Sequence, residues 1–166
     1  MVVVSLPIIS SLYSIINRGG ICVLPNWVEP SLVTSLRNDI HQLRDHGLFT
    51  ASGLSNREPG DTNAFDPIKD RQCVTITPAL PVHGNEEETI RRVRADLDRR
   101  LETLGLTLSV ALNRPNLSLQ EQYYSISGAG ATLPLHMDER HEETKGEKGW
   151  TTDTRRSISY LLYLNR

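Results

Sequence analysis

Arg156-Ser157-Ile158-Ser159-Tyr160-Leu161-Leu162-Tyr163-Leu164 repeats with a period of two. On an extended chain this places Ser157, Ser159, Leu161 and Tyr163 on one face and Ile158, Tyr160, Leu162 and Leu164 on the other. The second face is apolar throughout and suits packing on helices. The first mixes hydroxyls with apolar groups, as the wall of a polar cavity does. The stretch therefore predicts a strand with two different environments, and most of the other strand-like sequence lies near it.

Upstream of that strand, residues 106–112, 119–126 and 132–138 also read as strands, with a Gly-Ala-Gly turn at Gly128 to Gly130. Before Gly105 the period is helical. Asn85 with Glu88 three residues on forms a capping-box signal, and Ile90, Val93, Leu97, Leu101 and Leu104 share a face that ends at Gly105. Arg91, Arg92, Arg94, Arg99 and Arg100 are expected on its solvated side. An earlier helix begins at Pro30, carries Leu32, Leu36, Ile40 and Leu43 on one face and stops at Gly47. Before it come the apolar run Ile21 to Leu24 and a turn at Pro25-Asn26. Between the helices, residues 50–67 read as a long loop and residues 71–77 as a strand, with Val74 and Ile76 alternating against Thr75 and Thr77. Helices followed by strands predict an α+β fold, in one domain over residues 1–166.

Composition narrows the functional class. The 166 residues are 38% hydrophobic and 23% charged, with a net charge of −2 at neutral pH, so a core can form and no overall field attracts nucleic acid or an anionic membrane. Cys22 and Cys73 are far apart and form no metal-ligand spacing, which argues against a disulfide framework or a structural zinc site. The apolar N-terminus, residues 1–16, holds a proline and four serines and lacks a basic residue before Arg18. It is too short and interrupted for a membrane span, and reads as the first helix or strand of a soluble domain more than as a targeting segment.

The residues with chemical potential are His136-Met137-Asp138. Residues i and i+2 of an extended segment project to one side, so the imidazole and the carboxylate can reach one cation. They would supply two members of a two-His-one-carboxylate triad, which leaves open positions on iron(II). The spacing alone is weak, because His141-Glu142-Glu143 repeats it in a polar stretch that reads as loop.

Context strengthens the first pair. Gln120-Glu121-Gln122-Tyr123-Tyr124-Ser125-Ile126-Ser127-Gly128-Ala129-Gly130, then Leu135 to Asp138, then Arg155-Arg156-Ser157-Ile158-Ser159 and Leu162-Tyr163-Leu164-Asn165 form an ordered set. It resembles the prolyl 4-hydroxylase-like members of the 2-oxoglutarate/Fe(II) oxygenases, over residues 19–166. The resemblance implies N-terminal helices packed on an incomplete double-stranded β-helix, a jelly-roll or cupin-like barrel. It implies oxidative decarboxylation of 2-oxoglutarate to succinate and CO2, coupled to hydroxylation of a C–H bond. His136 and Asp138 become iron ligands by this resemblance. Tyr163 matches a tyrosine that hydrogen-bonds the distal carboxylate of 2-oxoglutarate, Ser159 and Leu161 match positions lining that pocket, and Tyr124 resembles the tyrosine before the Gly-rich turn. Fe(II), 2-oxoglutarate and ascorbate are the small molecules it implies.

The family pattern also needs a second histidine and a basic residue on strands after Tyr163-Leu164-Asn165, and the sequence stops at Arg166. His41, His46 and His83 lie upstream, where that fold does not place a ligand. The expectation is therefore a front half of an active site, inactive alone and prone to self-association through its terminal strand. The substrate, peptide or small molecule, is not legible. Two rival readings are a binding or assembly module without a complete metal site, and a zinc hydrolase built on His136 and Asp138. The Arg-Ser-Ile-Ser and Tyr-Leu-Asn segments speak against the zinc hydrolase.

Overall fold

The structure, a computed structural model, describes Tyr13, Ile16 and residues 18–51, 70–77, 79–82, 87–115, 117–119, 121–131, 145–146, 149–150 and 158–165. Helix α1 spans Pro30–Asp45 and helix α2 spans Glu87–Ala111. The strands are β1 (Thr50–Ala51), β2 (Gln72–Thr75), β3 (Tyr123–Ile126), β4 (Lys145–Gly146) and β5 (Gly149–Trp150). β1, β2 and β3 form a small antiparallel sheet with β2 in the centre, and β4 pairs with β5. The fold is α+β, and the described residues contain no closed barrel. The chain divides into two compact units, Met1–Thr50 with Cys73–Ser125 and Ala51–Gln72 with Ile126–Arg166. The helix pair and its core belong to the first.

α1 starts and stops where its residues dictate. Pro30 at the first position has its φ set for a helix and loses no hydrogen bond there. At the other end Gly47 takes a left-handed φ of 69°. Its N–H donates to the Arg44 carbonyl at 2.8 Å and the Leu48 N–H to the Leu43 carbonyl at 3.0 Å, the paired bonds that close a helix around a glycine. Leu32, Leu36 and Leu43 form the buried stripe of α1, which packs against α2, where Ile90, Leu97 and Leu101 are buried. The turn at Pro25-Asn26 is also present, with Asn26 at a φ of 54°.

α2 corrects two expectations. It runs through Gly105 to Ala111, so residues 106–112 are not a strand. Leu106, Leu108, Val110 and Leu112 alternate in sequence, but on a helix they separate into an exposed pair, Leu106 and Val110, and a buried pair, Leu108 and Leu112. Leu101, Leu104, Leu108 and Leu112 continue the stripe of the preceding turns. An interior glycine costs only about 0.5–1 kcal/mol, less than burying two leucines stabilises. The helix ends instead at Ala111 and is closed by Asn113, with a φ of 54°, where the Arg114 N–H donates to the Ser109 carbonyl at 2.9 Å. A Cβ on Gly105 would meet nothing within 4 Å. Gly105→Ala is therefore expected to raise stability by about 0.5–1 kcal/mol, read as a higher urea midpoint at unchanged slope.

β2 and β3 lie within the segments that alternation singled out. The Ile76 N–H donates to the Gln122 carbonyl at 3.0 Å. In an antiparallel ladder this register sets Val74 opposite Tyr124 and Thr75 opposite Tyr123. Val74 and Tyr124 are buried, whereas Thr75 and Tyr123 are exposed.

The terminal strand is a further correction, because residues 158–165 do not form a strand. A strand exists through a main-chain ladder with a neighbour, and side-chain alternation cannot supply one. A period of two in exposure holds only from Leu161 on, where Leu162 and Leu164 are half-buried and Leu161 and Tyr163 are 77% and 76% exposed; Tyr160, expected on the packed face, is exposed. The expected capping residue Asn85, the loop beyond Ala51 and the strand at 132–138 lie outside the described residues. Among the described residues no helix is long and apolar enough to cross a membrane.

Candidate functional site

The best-defined polar constellation in the structure is buried between the helices and the sheet. Asp39 occupies a core-facing position on α1 between Leu36 and Leu43, and Arg94 occupies one on α2 between Ile90 and Leu97. Their side chains meet as a two-pronged pair, with Arg94 Nε donating to Asp39 Oδ2 at 2.8 Å and Nη2 to Oδ1 at 2.7 Å. Arg94 Nη1 also donates to the Leu80 carbonyl at 2.7 Å and Nη2 to the Pro81 carbonyl at 3.1 Å. From β3, the Tyr124 hydroxyl donates to Asp39 Oδ2 at 3.0 Å. One carboxylate thus ties together two helices, a strand and the turn before α2.

Every member of this cluster is deeply buried, Arg94 at 8% exposure and Tyr124 at 5%. Burial opposes the charge on Arg94, but the hydrogen bonds and charge of Asp39 more than offset it and hold the guanidinium above its usual pKa. Burial, and then the Asp39 carboxylate, push the Tyr124 phenol above its usual range. The carboxylate is clamped by the guanidinium and the phenol keeps its proton. Such a constellation holds structure.

Arg94 therefore departs from the solvated face expected for the arginines of α2, while its neighbours conform to it. Arg91 pairs with Glu87 at 2.6 Å and Arg92 with Glu88 at 3.0 Å, both at i,i+4 on the exposed surface. Arg99 pairs with Asp96, and Arg100 reaches Asp96 at 2.8 Å and Glu29 at 2.9 Å. The sequence did hold a signal for the cluster. Each helix carries one charge at a position its apolar spacing assigns to the core, and the two charges are opposite. A shallow groove of about 390 Å³ lies between the first halves of α1 and α2, lined by Glu29, Ser35, Val93, Asp96 and Arg100 among others. Its charges are already paired, Glu29 and Asp96 with Arg100, and Arg92 with Glu88.

No family model, curated protein or solved structure matches this chain. The site residues expected from the sequence are distributed as follows. His136 and Asp138 lie outside the described residues, as do His83 and His141. Tyr124 belongs to the first compact unit, and Ser159, Leu161 and Tyr163 belong to the second. Ser159, Leu161 and Tyr163 are exposed, as is Tyr160 between the first two, whereas Ile158, Leu162 and Leu164 are half-buried. His41 and His46 are exposed on α1 and at its C-terminal cap. Among the described residues no group of three or more His, Cys, Asp or Glu side chains could hold a metal ion. Both cysteines are free and half-buried.

Proposed function

We propose that this chain carries part of the active site of an Fe(II)- and 2-oxoglutarate-dependent oxygenase of the prolyl 4-hydroxylase-like kind. The observation that carries the reading is the ordered set of motifs: the Gly-rich turn at Gly128 to Gly130, His136-Met137-Asp138, the Arg-Ser-Ile-Ser segment and Tyr163-Leu164-Asn165. The α+β arrangement, with α1 and α2 preceding β3, is compatible with helices packed on a double-stranded β-helix. In this reading β2 and β3 are strands of that barrel.

His136 and Asp138 are the proposed iron ligands, two residues apart so that both can reach one ion. Ser159, Leu161 and Tyr163 are the proposed wall of the cosubstrate pocket, with the Tyr163 hydroxyl donating to a carboxylate of 2-oxoglutarate. Their spacing of two residues in the sequence supports that grouping. When bound, iron supplies the oxygen chemistry by which 2-oxoglutarate, O2 and a substrate C–H bond become succinate, CO2 and a C–OH group. The protein's own contribution is to orient the cosubstrate and keep water out.

The test is succinate release by the natural full-length protein, with and without Fe(II). The expected result is iron-dependent, oxygen-dependent conversion of 2-oxoglutarate to equal amounts of succinate and CO2, even without an added substrate when ascorbate is present to supply the two electrons that the substrate C–H bond otherwise gives. Succinate no higher with iron than in a chelated control would overturn the proposal.

A further inference from the structure

We infer that residues 20–24 are the edge through which two copies of this chain associate, the segment of one copy pairing antiparallel with the same segment of the other. The inference concerns the first compact unit alone and does not depend on the oxygenase reading.

Exposure along this run alternates with a period of two. Ile21 and Val23 are 84% and 75% exposed, whereas Gly20, Cys22 and Leu24 are half-buried. A segment that turns alternate side chains outward has the geometry of a strand. It belongs to neither sheet, and no backbone N–H or C=O of residues 20–24 is hydrogen-bonded to another described residue. Folded proteins commonly protect such an edge with a charge or a proline inside the run. Here no charged residue lies between Arg18 and Glu29, and Pro25 falls just beyond the run. The segment therefore offers what strand addition uses, a row of open main-chain groups flanked by β-branched apolar side chains.

The sequence of the run points to a second copy as the added strand. Centred on Cys22, an isologous antiparallel pair sets Ile21 of each copy opposite Val23 of the other, so exposed apolar groups cover one another. The same register puts Arg18 opposite Asn26 and keeps the two arginines apart. A charged partner would find no counter-charge along the run. Five residues from each copy bury less than a standard interface of about 1,600 Å², so the dimer is weak and dissociates on dilution. The two Cys22 residues then face each other at the Cα separation of about 4.5–5.5 Å that opposed strand residues have and disulfides accept.

The test is sedimentation velocity on the 166-residue chain over a dilution series, combined with oxidative cross-linking. The wild type is expected to pass from dimer to monomer on dilution. Ile21→Lys with Val23→Lys is expected to weaken association by more than about tenfold at unchanged urea midpoint, because lysine then opposes lysine at exposed positions. Leu106→Lys with Val110→Lys on the exposed side of α2, and Leu161→Lys in the terminal run, are the controls and should dimerise as the wild type does. Diamide, which takes two electrons from a pair of thiols, is expected to join Cys22 of one copy to Cys22 of the other, read by non-reducing peptide mapping. Cys22→Ser without oxidant should still dimerise. A chain that is monomeric at every concentration would overturn the inference, as would a dimer that Ile21→Lys with Val23→Lys leaves intact or that Leu161→Lys abolishes. Cross-links through Cys73 formed as fast as those through Cys22 would overturn the register.

Discussion

Asp39→Ala is expected to lower the stability of the chain by about 3–5 kcal/mol, the usual cost of removing one partner from a buried ion pair. Three donors lose their acceptor together: Arg94 Nε, Arg94 Nη2 and the Tyr124 hydroxyl. The guanidinium keeps its bonds to Leu80 and Pro81, but a full positive charge remains at 8% exposure without a counter-ion. Arg94→Met should cost a similar amount, because the carboxylate is then the stranded charge. The triple variant Asp39→Leu, Arg94→Met, Tyr124→Phe should recover most of the loss, since well-packed apolar groups often replace a buried ion pair at little cost. Arg92→Ala is the control, because its exposed pair with Glu88 is worth at most about 1 kcal/mol. Urea unfolding followed by circular dichroism measures all four. An Asp39→Ala variant no weaker than the Arg92→Ala variant would show that the cluster adds nothing to stability.

His136→Ala in the natural full-length protein is expected to reduce iron-dependent succinate release by more than about 100-fold, since even groups that only orient a metal ligand are worth 10- to 100-fold. Asp138→Ala should do the same. The sequence contains its own control, because His141 and Glu143 repeat the spacing five residues later. His141→Ala and Glu143→Ala should leave turnover within about twofold, as expected for groups away from the chemistry. Iron affinity measured by competition with a chromogenic chelator separates loss of the metal from loss of a later step. An equal loss in His141→Ala would move the metal site to the second pair, and full activity in His136→Ala would remove the first pair from the chemistry.

The sequence by itself determined the features whose causes are local. Pro30 begins α1 because its φ and missing N–H suit a first turn, and Gly47 ends it because the closing residue needs a left-handed φ. The stripe Leu32, Leu36 and Leu43 and the alternation about Val74 are set by periods of 3.6 and 2, which neighbours in sequence are enough to establish. The candidate ligands His136 and Asp138 rest on spacing and motif order alone and lie outside the described residues.

Tertiary structure decided what local rules leave balanced. Residues 106–112 satisfy both periods, and burial of Leu108 and Leu112 outweighs the small penalty of Gly105, so the segment is helix. The run at 158–164 alternates as a strand should, but a strand needs hydrogen bonds to a neighbouring chain segment, which lie outside its own sequence. Asp39 and Arg94 are separated by 55 residues, and each alone is a charge on the wrong face of its helix. Only when α1 and α2 pack does each find its counter-ion, and only then does β3 turn Tyr124 inward and leave Tyr123 outside.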